Sequence, residues 1–157
     1  MPNLSTLDFK DTINGAEGRA YATIDGNVEL MFYLKKLEAK IEKKKTEGKT
    51  LGNRATQHKA NGWNGTGSMT IYYITSVFRK MLLEYIRTGK DTYFDIQVVN
   101  EDPTSNVGKQ TTVIKKVNID ASVLAKLDVD SEAMEEEVAF TFEDFDILDE
   151  FGKPILG

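Results

Sequence analysis

Apolar residues in this chain recur mostly at a spacing of two, the mark of strands with one buried face. Arg19 to Ile24 predicts a short strand, and Asn27 to Leu34 a return strand with the apolar run Leu30-Met31-Phe32-Tyr33. Between them Asp25-Gly26 forms a hairpin turn, because Gly tolerates the positive φ that a two-residue turn demands. Ser68 to Ile74 alternates at Met69, Ile71 and Tyr73. Thr92 to Val99 sets Phe94, Ile96 and Val98 on one face, and Thr111 to Ile119 carries Val113, Val117 and Ile119. Val138, Phe140 and Phe142 alternate in turn, and Phe145 and Ile147 resume one step out of phase, as a bulge near Glu143-Asp144 would produce.

One stretch has the other period. Val77, Phe78, Met81, Leu82, Tyr85 and Ile86 recur at three- and four-residue spacing, which predicts an amphipathic helix ending before Gly89. Thr75 or Ser76 can cap it by accepting a hydrogen bond from the first free backbone N–H groups. Lys35 to Leu51 fits both periods: Leu34, Leu37 and Ile41 lie on a helical stripe, whereas Leu37, Ala39 and Ile41 also lie on one strand face. Ala121 to Val129 reads either as a continuation of the preceding strand or as a short helical turn.

The remainder is connection. Met1 to Asn14 predicts an N-terminal arm, Gly15-Ala16-Glu17-Gly18 a turn, and Asn100 to Gly108 a loop. Residues 52–67, GNRATQHKANGWNGTG, predict a long Gly-rich loop holding the sole Trp, and 148–157 a C-terminal tail. The sum is seven or eight strands with one helix in a single domain over 1–157. That is a mainly β (α+β) chain, an antiparallel β-sandwich or barrel-like core with one packed α-helix.

Composition narrows the function classes. No apolar run approaches the ~20 residues of a membrane span, and the N-terminus lacks the basic start and apolar core of a secretory signal, so no stable membrane anchor is expected. With no cysteine there are no disulfides, thiolate metal sites or Cys nucleophiles. The net charge of −5 disfavours nucleic acid as a partner of the whole surface. The charge is unevenly spread. Lys35 to Lys59 holds nine Lys and Arg against three Glu, and Asp128 to Glu150 holds eleven Asp and Glu with no Lys or Arg.

Candidate chemistry is sparse. His58 is the sole histidine and has no carboxylates near it in sequence, so it does not make a zinc site. Asn64-Gly65-Thr66-Gly67 lacks the Gly-Lys-Ser/Thr ending of a phosphate loop. Asp128, Asp130 and Glu135-Glu136-Glu137 lack the central Gly of a calcium loop. Glu143 and Asp144 are adjacent, so a regular strand points them to opposite faces and they cannot share acid–base work. Lys43-Lys44-Lys45 has no interleaved aromatic platform for stacking bases. No enzyme and no cofactor are expected.

Longer matches run along most of the chain. They comprise Ile13-Asn14-Gly15 with Glu17-Gly18-Arg19, Asp25-Gly26, Gly52 with Arg54, and His58-Lys59. Asn64-Gly65-Thr66-Gly67 leading to Tyr72, and Thr75-Ser76 with Phe78, continue the series. The most specific block is Leu127-Asp128-Val129-Asp130-Ser131-Glu132-Ala133 through Glu135-Glu136-Glu137-Val138 to Phe140-Thr141-Phe142-Glu143-Asp144-Phe145-Asp146. On these residues the chain resembles the tail-tube proteins of contractile phage tails, of the type in PBSX-like defective prophages and phage-tail-like bacteriocins. It is similar, less closely, to the tube protein of type VI secretion systems; a monomeric ligand-binding β-barrel is the reading from a different class.

The resemblance implies strand for Lys35 to Leu51, and a subunit that stacks in hexameric rings around a channel for DNA or ions. It implies as partners the chain itself, a contractile sheath protein, and baseplate and tail-terminator proteins, with DNA in transit. It also implies synthesis in the bacterial host cytoplasm and release in the virion or bacteriocin tail. The expected self-assembly residues are Lys43, Lys44, Lys45, Lys49, Arg54, Lys59 and Trp63 on one side, and Asp128, Asp130, Glu135, Glu136 and Glu137 on the other. Part of the acidic surplus is expected to line the channel, where like charge keeps DNA from sticking.

Overall fold

The computed structural model describes residues 7–153. The ends of the expected arm and tail, 1–6 and 154–157, lie outside the described residues. In chain order the elements are β1 (Gly18–Ile24), β2 (Asn27–Leu30), β3 (Leu34–Gly48), β4 (Gln57–Tyr72), α1 (Val77–Thr88), β5 (Phe94–Glu101), β6 (Lys109–Ala121), β7 (Glu135–Phe142) and β8 (Asp144–Asp149). A single turn of 3-10 helix, Phe9–Asp11, precedes them. The fold is mainly β and antiparallel, with one α-helix among the described residues. It divides into two compact units.

The first unit gathers the chain up to Leu34, Tyr93–Val117 and the chain from Asp144 onward. The β1–β2 turn forms at Asp25-Gly26, both with positive φ (51° and 81°), so that Ile24 faces Asn27. Next, β1 pairs β5 from Gly18 opposite Asn100 to Thr23 opposite Asp95. In turn β5 pairs β6, with an irregularity between Phe94 and Ile96. There Lys116 has φ 54° and its N–H donates to the Asp95 carboxylate at 3.2 Å. The other edge of β6 takes β8, from Lys115 opposite Asp144 to Thr111 opposite Asp149. Ala20 and Ala22, and Phe94 and Ile96, are buried in alternation; on β6 the irregularity at Lys116 buries Ile114 and Val117, three apart, and leaves Val113 half-buried. Burial, with a smaller contribution from Glu29, pushes the Tyr33 phenol up to about 12.

Two buried carboxylates tie the start of the described chain to the β5–β6 loop. The Asp11 carboxylate accepts from the Asn106 N–H (3.2 Å), and the Ser105 hydroxyl donates to the Asp11 carbonyl (2.7 Å). The Asp102 carboxylate accepts from the Asn14 N–H and the Thr104 N–H, both at 2.9 Å. Those two bonds, the Asn14 one foremost, hold Asp102 below the usual carboxylate value.

The second unit gathers Lys35–Thr92 and Asn118–Glu143. Here β4 pairs β7 from Gly65 opposite Phe142 to Tyr72 opposite Glu135, and β7 pairs the end of β6. On the other side β4 adjoins β3. Met69, Ile71, Phe78, Ile119, Val138 and Phe140 are buried. Helix α1 starts after Ser76, whose side chain makes no capping bond; the Thr75 hydroxyl instead accepts from Val77 N–H at 3.3 Å. It ends at Gly89, in the left-handed conformation (φ 78°), with the Gly89 N–H on the Tyr85 carbonyl.

Three expectations change. The Gly-rich loop over 52–67 is wrong from Gln57 onward, where the chain is strand β4. Small and polar residues there read as loop because neither face is buried; pairing with the adjacent strand holds them extended. The expected bulge at Glu143-Asp144 is instead a break: β7 ends at Phe142, and β8 starts at Asp144 against a different stretch of β6. The apolar stripe of α1 is buried at Phe78 and Met81 only, with Tyr85 and Ile86 exposed. Lys35 to Gly48 is strand.

Candidate assembly surface

The dominant surface feature of the second unit is the β3–β4 hairpin. Every residue from Glu38 to Asn64 is exposed, on both faces of both strands. The pairing of β4 with β7 reaches only as far as Gly65, so among the described residues the hairpin beyond that point has no third strand on its β4 side. A two-stranded hairpin with neither face covered is marginal in water, because backbone pairing alone does not repay chain ordering.

At its inner end the hairpin is anchored by glycines. A Cβ on Gly65 would meet the Phe142 ring at 2.6 Å, and one on Gly67 would collide with the Phe140 ring and lie 2.7 Å from the Glu38 carbonyl oxygen. Glycine at these two positions lets two aromatic rings of β7 lie flat against the β4 backbone. Trp63 follows on the same strand face, 40% exposed, with its ring 6.1 Å from that of Phe142. Between these rings lies an open groove of about 540 Å³, bordered also by Glu143.

Lys43, Lys44, Lys45, Lys49, Arg54 and Lys59 are exposed along the hairpin, and none is in an ion pair among the described residues. The hairpin's paired cation is Lys35 at its base, 2.5 Å from Glu135. That hydrogen bond and charge hold the Lys35 ammonium above its usual value. The carboxylates divide. Asp128, Asp130 and Glu137 are exposed, whereas Glu135 is engaged by Lys35.

Glu136 is a correction. It was expected at an assembly surface but is 3% exposed, its Oε2 2.6 Å from Arg79 Nη1. The Arg79 guanidinium also donates to the carbonyls of Val123 and Thr75 and lies 4.6 Å from the centroid of the Tyr73 ring. The physical reason is register: Glu136 sits opposite Ile71, a fully buried position, so its charge has to be matched internally. Arg79 was legible only as one polar residue of an amphipathic helix, and no sequence signal pairs it with a carboxylate 57 residues on.

No group of three or more metal-binding side chains lies together among the described residues, and no described helix is long and apolar enough to cross a membrane.

The fold recurs in tube-and-cap assemblies. A chain in the cryo-EM structure of the anti-feeding prophage tube-terminating cap superposes with a TM-score of 0.68 at 9% identity, covering 92% of this chain and 95% of that one. A chain of the extended sheath–tube complex of an extracellular contractile injection system gives 0.61 at 9% identity, covering 92% and 93%. These likenesses establish the fold. Family follows from sequence: the family model for phage tail tube protein matches residues 5–149. The phage-like element PBSX protein XkdM of Bacillus subtilis (strain 168) is 46% identical over 141 residues, 90% of this chain and 93% of the relative. The chain belongs to the phage tail tube protein family.

Proposed function

We propose that this chain is a structural subunit of the inner tube of a contractile phage tail or phage-tail-like bacteriocin. It acts by binding copies of itself, without catalysis, in stacked hexameric rings around a channel for DNA or ions. A contractile sheath, a baseplate and a tail terminator are its other partners. The subunit is made in the host cytoplasm and leaves the cell within the assembled tail.

The observation that carries this reading is the hairpin from Glu38 to Asn64, exposed throughout and rich in unpaired cations. A lone subunit gains nothing from ordering it; a subunit with neighbours covers it. Family membership supplies the context. We assign Lys43, Lys44, Lys45, Lys49, Arg54, Lys59 and Trp63 to one side of a contact between copies. Asp128, Asp130 and Glu137 belong to the other, with Glu135 bordering it and part of the acidic surplus facing the channel. The test is assembly of a Lys43→Glu/Lys44→Glu/Lys45→Glu variant and of Trp63→Ala, each first shown to fold by circular dichroism. Both are expected to stay as unassembled subunits where the wild type polymerises; normal polymerisation by both would remove the assignment.

A further inference from the structure

We infer that the segment joining β6 to β7 is a docking strip for the β3–β4 hairpin of a second copy, with Leu124, Leu127 and Val129 as its apolar centre. The inference rests on the tube-subunit reading and gives the contact proposed there an apolar centre.

The strip is an exposed apolar surface on a segment tied down at several points. Leu124, Leu127 and Val129 are 86%, 99% and 98% exposed. Hydrogen bonds hold the segment on either side of them, and the Lys126 side chain holds it between. Arg79 Nη1 donates to the Val123 carbonyl (3.2 Å), and Lys126 Nζ to the Glu135 carbonyl (2.6 Å). The Asp130 N–H bonds the Asp128 carboxylate (3.1 Å), the Ser131 N–H the Asp128 carbonyl (3.3 Å), and the Tyr73 N–H the Met134 carbonyl (2.9 Å). Three large aliphatics within six residues are thus turned to solvent, more apolar surface in one short segment than a lone subunit has reason to expose.

Charge identifies the occupant. Asp128 and Asp130 flank Val129 and Glu132 follows two residues on; none is in an ion pair among the described residues, and the strip's own cation, Lys126, is turned to the Glu135 carbonyl. The partner therefore needs cations interleaved with apolar side chains. The hairpin has them: Lys40 precedes the exposed Ile41, Lys43, Lys44 and Lys45 follow it beyond Glu42, and Lys49 lies two residues from the exposed Leu51. Within one copy these anions and cations do not meet, so the complement comes from another copy. A strip on one subunit meeting a hairpin on the next is a heterologous contact, which repeats into a closed ring or a continuing filament. Aliphatics at its centre with charges at its rim match the general anatomy of interfaces.

Because the chain has no cysteine, introduced cysteines report the contact without background. A Leu127→Cys protein is mixed with a Lys44→Cys or Leu51→Cys protein at assembling concentration and mildly oxidised. A mixed disulfide is expected from at least one pair, and none below the assembly concentration, since the bond needs Cα atoms within about 7 Å. In parallel, Leu127→Ser/Val129→Ser should leave thermal unfolding of the unassembled subunit unchanged. The same variant should raise the concentration needed for assembly about tenfold, equivalent to about 1.4 kcal/mol. Tubes that form without any of these cross-links, or at unchanged concentration with the double variant, overturn the strip while leaving the tube reading intact. Loss of binding to sheath protein alone would assign the strip to that partner and also overturn it. A wild-type chain that never assembles overturns both.

Discussion

Gly67 shows how one missing side chain sets the close packing at the base of the hairpin. Its Cα lies under the Phe140 ring, and a methyl there would strike both that ring and the Glu38 backbone. Gly67→Ala should therefore destabilise the subunit by about 1–3 kcal/mol in chemical denaturation. Gly65→Ala should be milder, because only the Phe142 ring has to move. Equal stability of Gly67→Ala and wild type would mean that the β3–β4–β7 contact is looser than described. Arg79 is the second such residue, because it neutralises Glu136 where no water reaches. Arg79→Ala leaves that carboxylate buried and uncompensated, and a loss of about 3 kcal/mol is expected. An effect below about 1 kcal/mol would show that Glu136 reaches solvent or another partner.

At the scale of elements, strands with one buried face were legible and strands with two exposed faces were not. Met69 and Ile71 announce the inner half of β4, since alternation reports burial. The outer half, Gln57 to Asn64, has no buried face to alternate with, so its glycines and asparagines mimic a loop. Lys35 to Leu51 fitted both periods locally for the same reason, since helix-favouring Lys and Glu compete there with pairing that no single-strand pattern encodes; the strand that the resemblance implied is what forms, as far as Gly48. The candidate site was readable as opposite charge runs, but the burial of Glu136 was not, because it depends on which residue of β4 faces it across the sheet. Asp11 and Asp102 tie the described part of the expected N-terminal arm to the β5–β6 loop. Asp102 has a folded-state pKa below its ordinary 3.8, so its bonds favour the folded state at neutral pH. That contribution is present above 3.8 and fades as pH falls through the lowered folded value. Stability measured by urea titration at successive pH values should fall more steeply below about pH 4 in the wild type than in Asp102→Asn. Identical acid limbs would show that the clasp does not hold the arm.

For the whole molecule, the exposed hairpin, the acidic apolar strip and membership of the tail tube family converge on a subunit completed by its own copies. Stability and assembly are then separate properties. Substitutions beneath the surface, such as Gly67→Ala and Arg79→Ala, are expected to act on the first, and those on the proposed hairpin and strip contact on the second. The most direct measurement is negative-stain electron microscopy of the purified full chain across a concentration series, with sedimentation velocity on the same samples. The account predicts rings or hollow tubes of uniform width that appear above a threshold concentration and vanish in the Lys43→Glu/Lys44→Glu/Lys45→Glu variant. A wild-type protein that sediments as a single 17.6 kDa species at every concentration, with or without sheath protein, would contradict it.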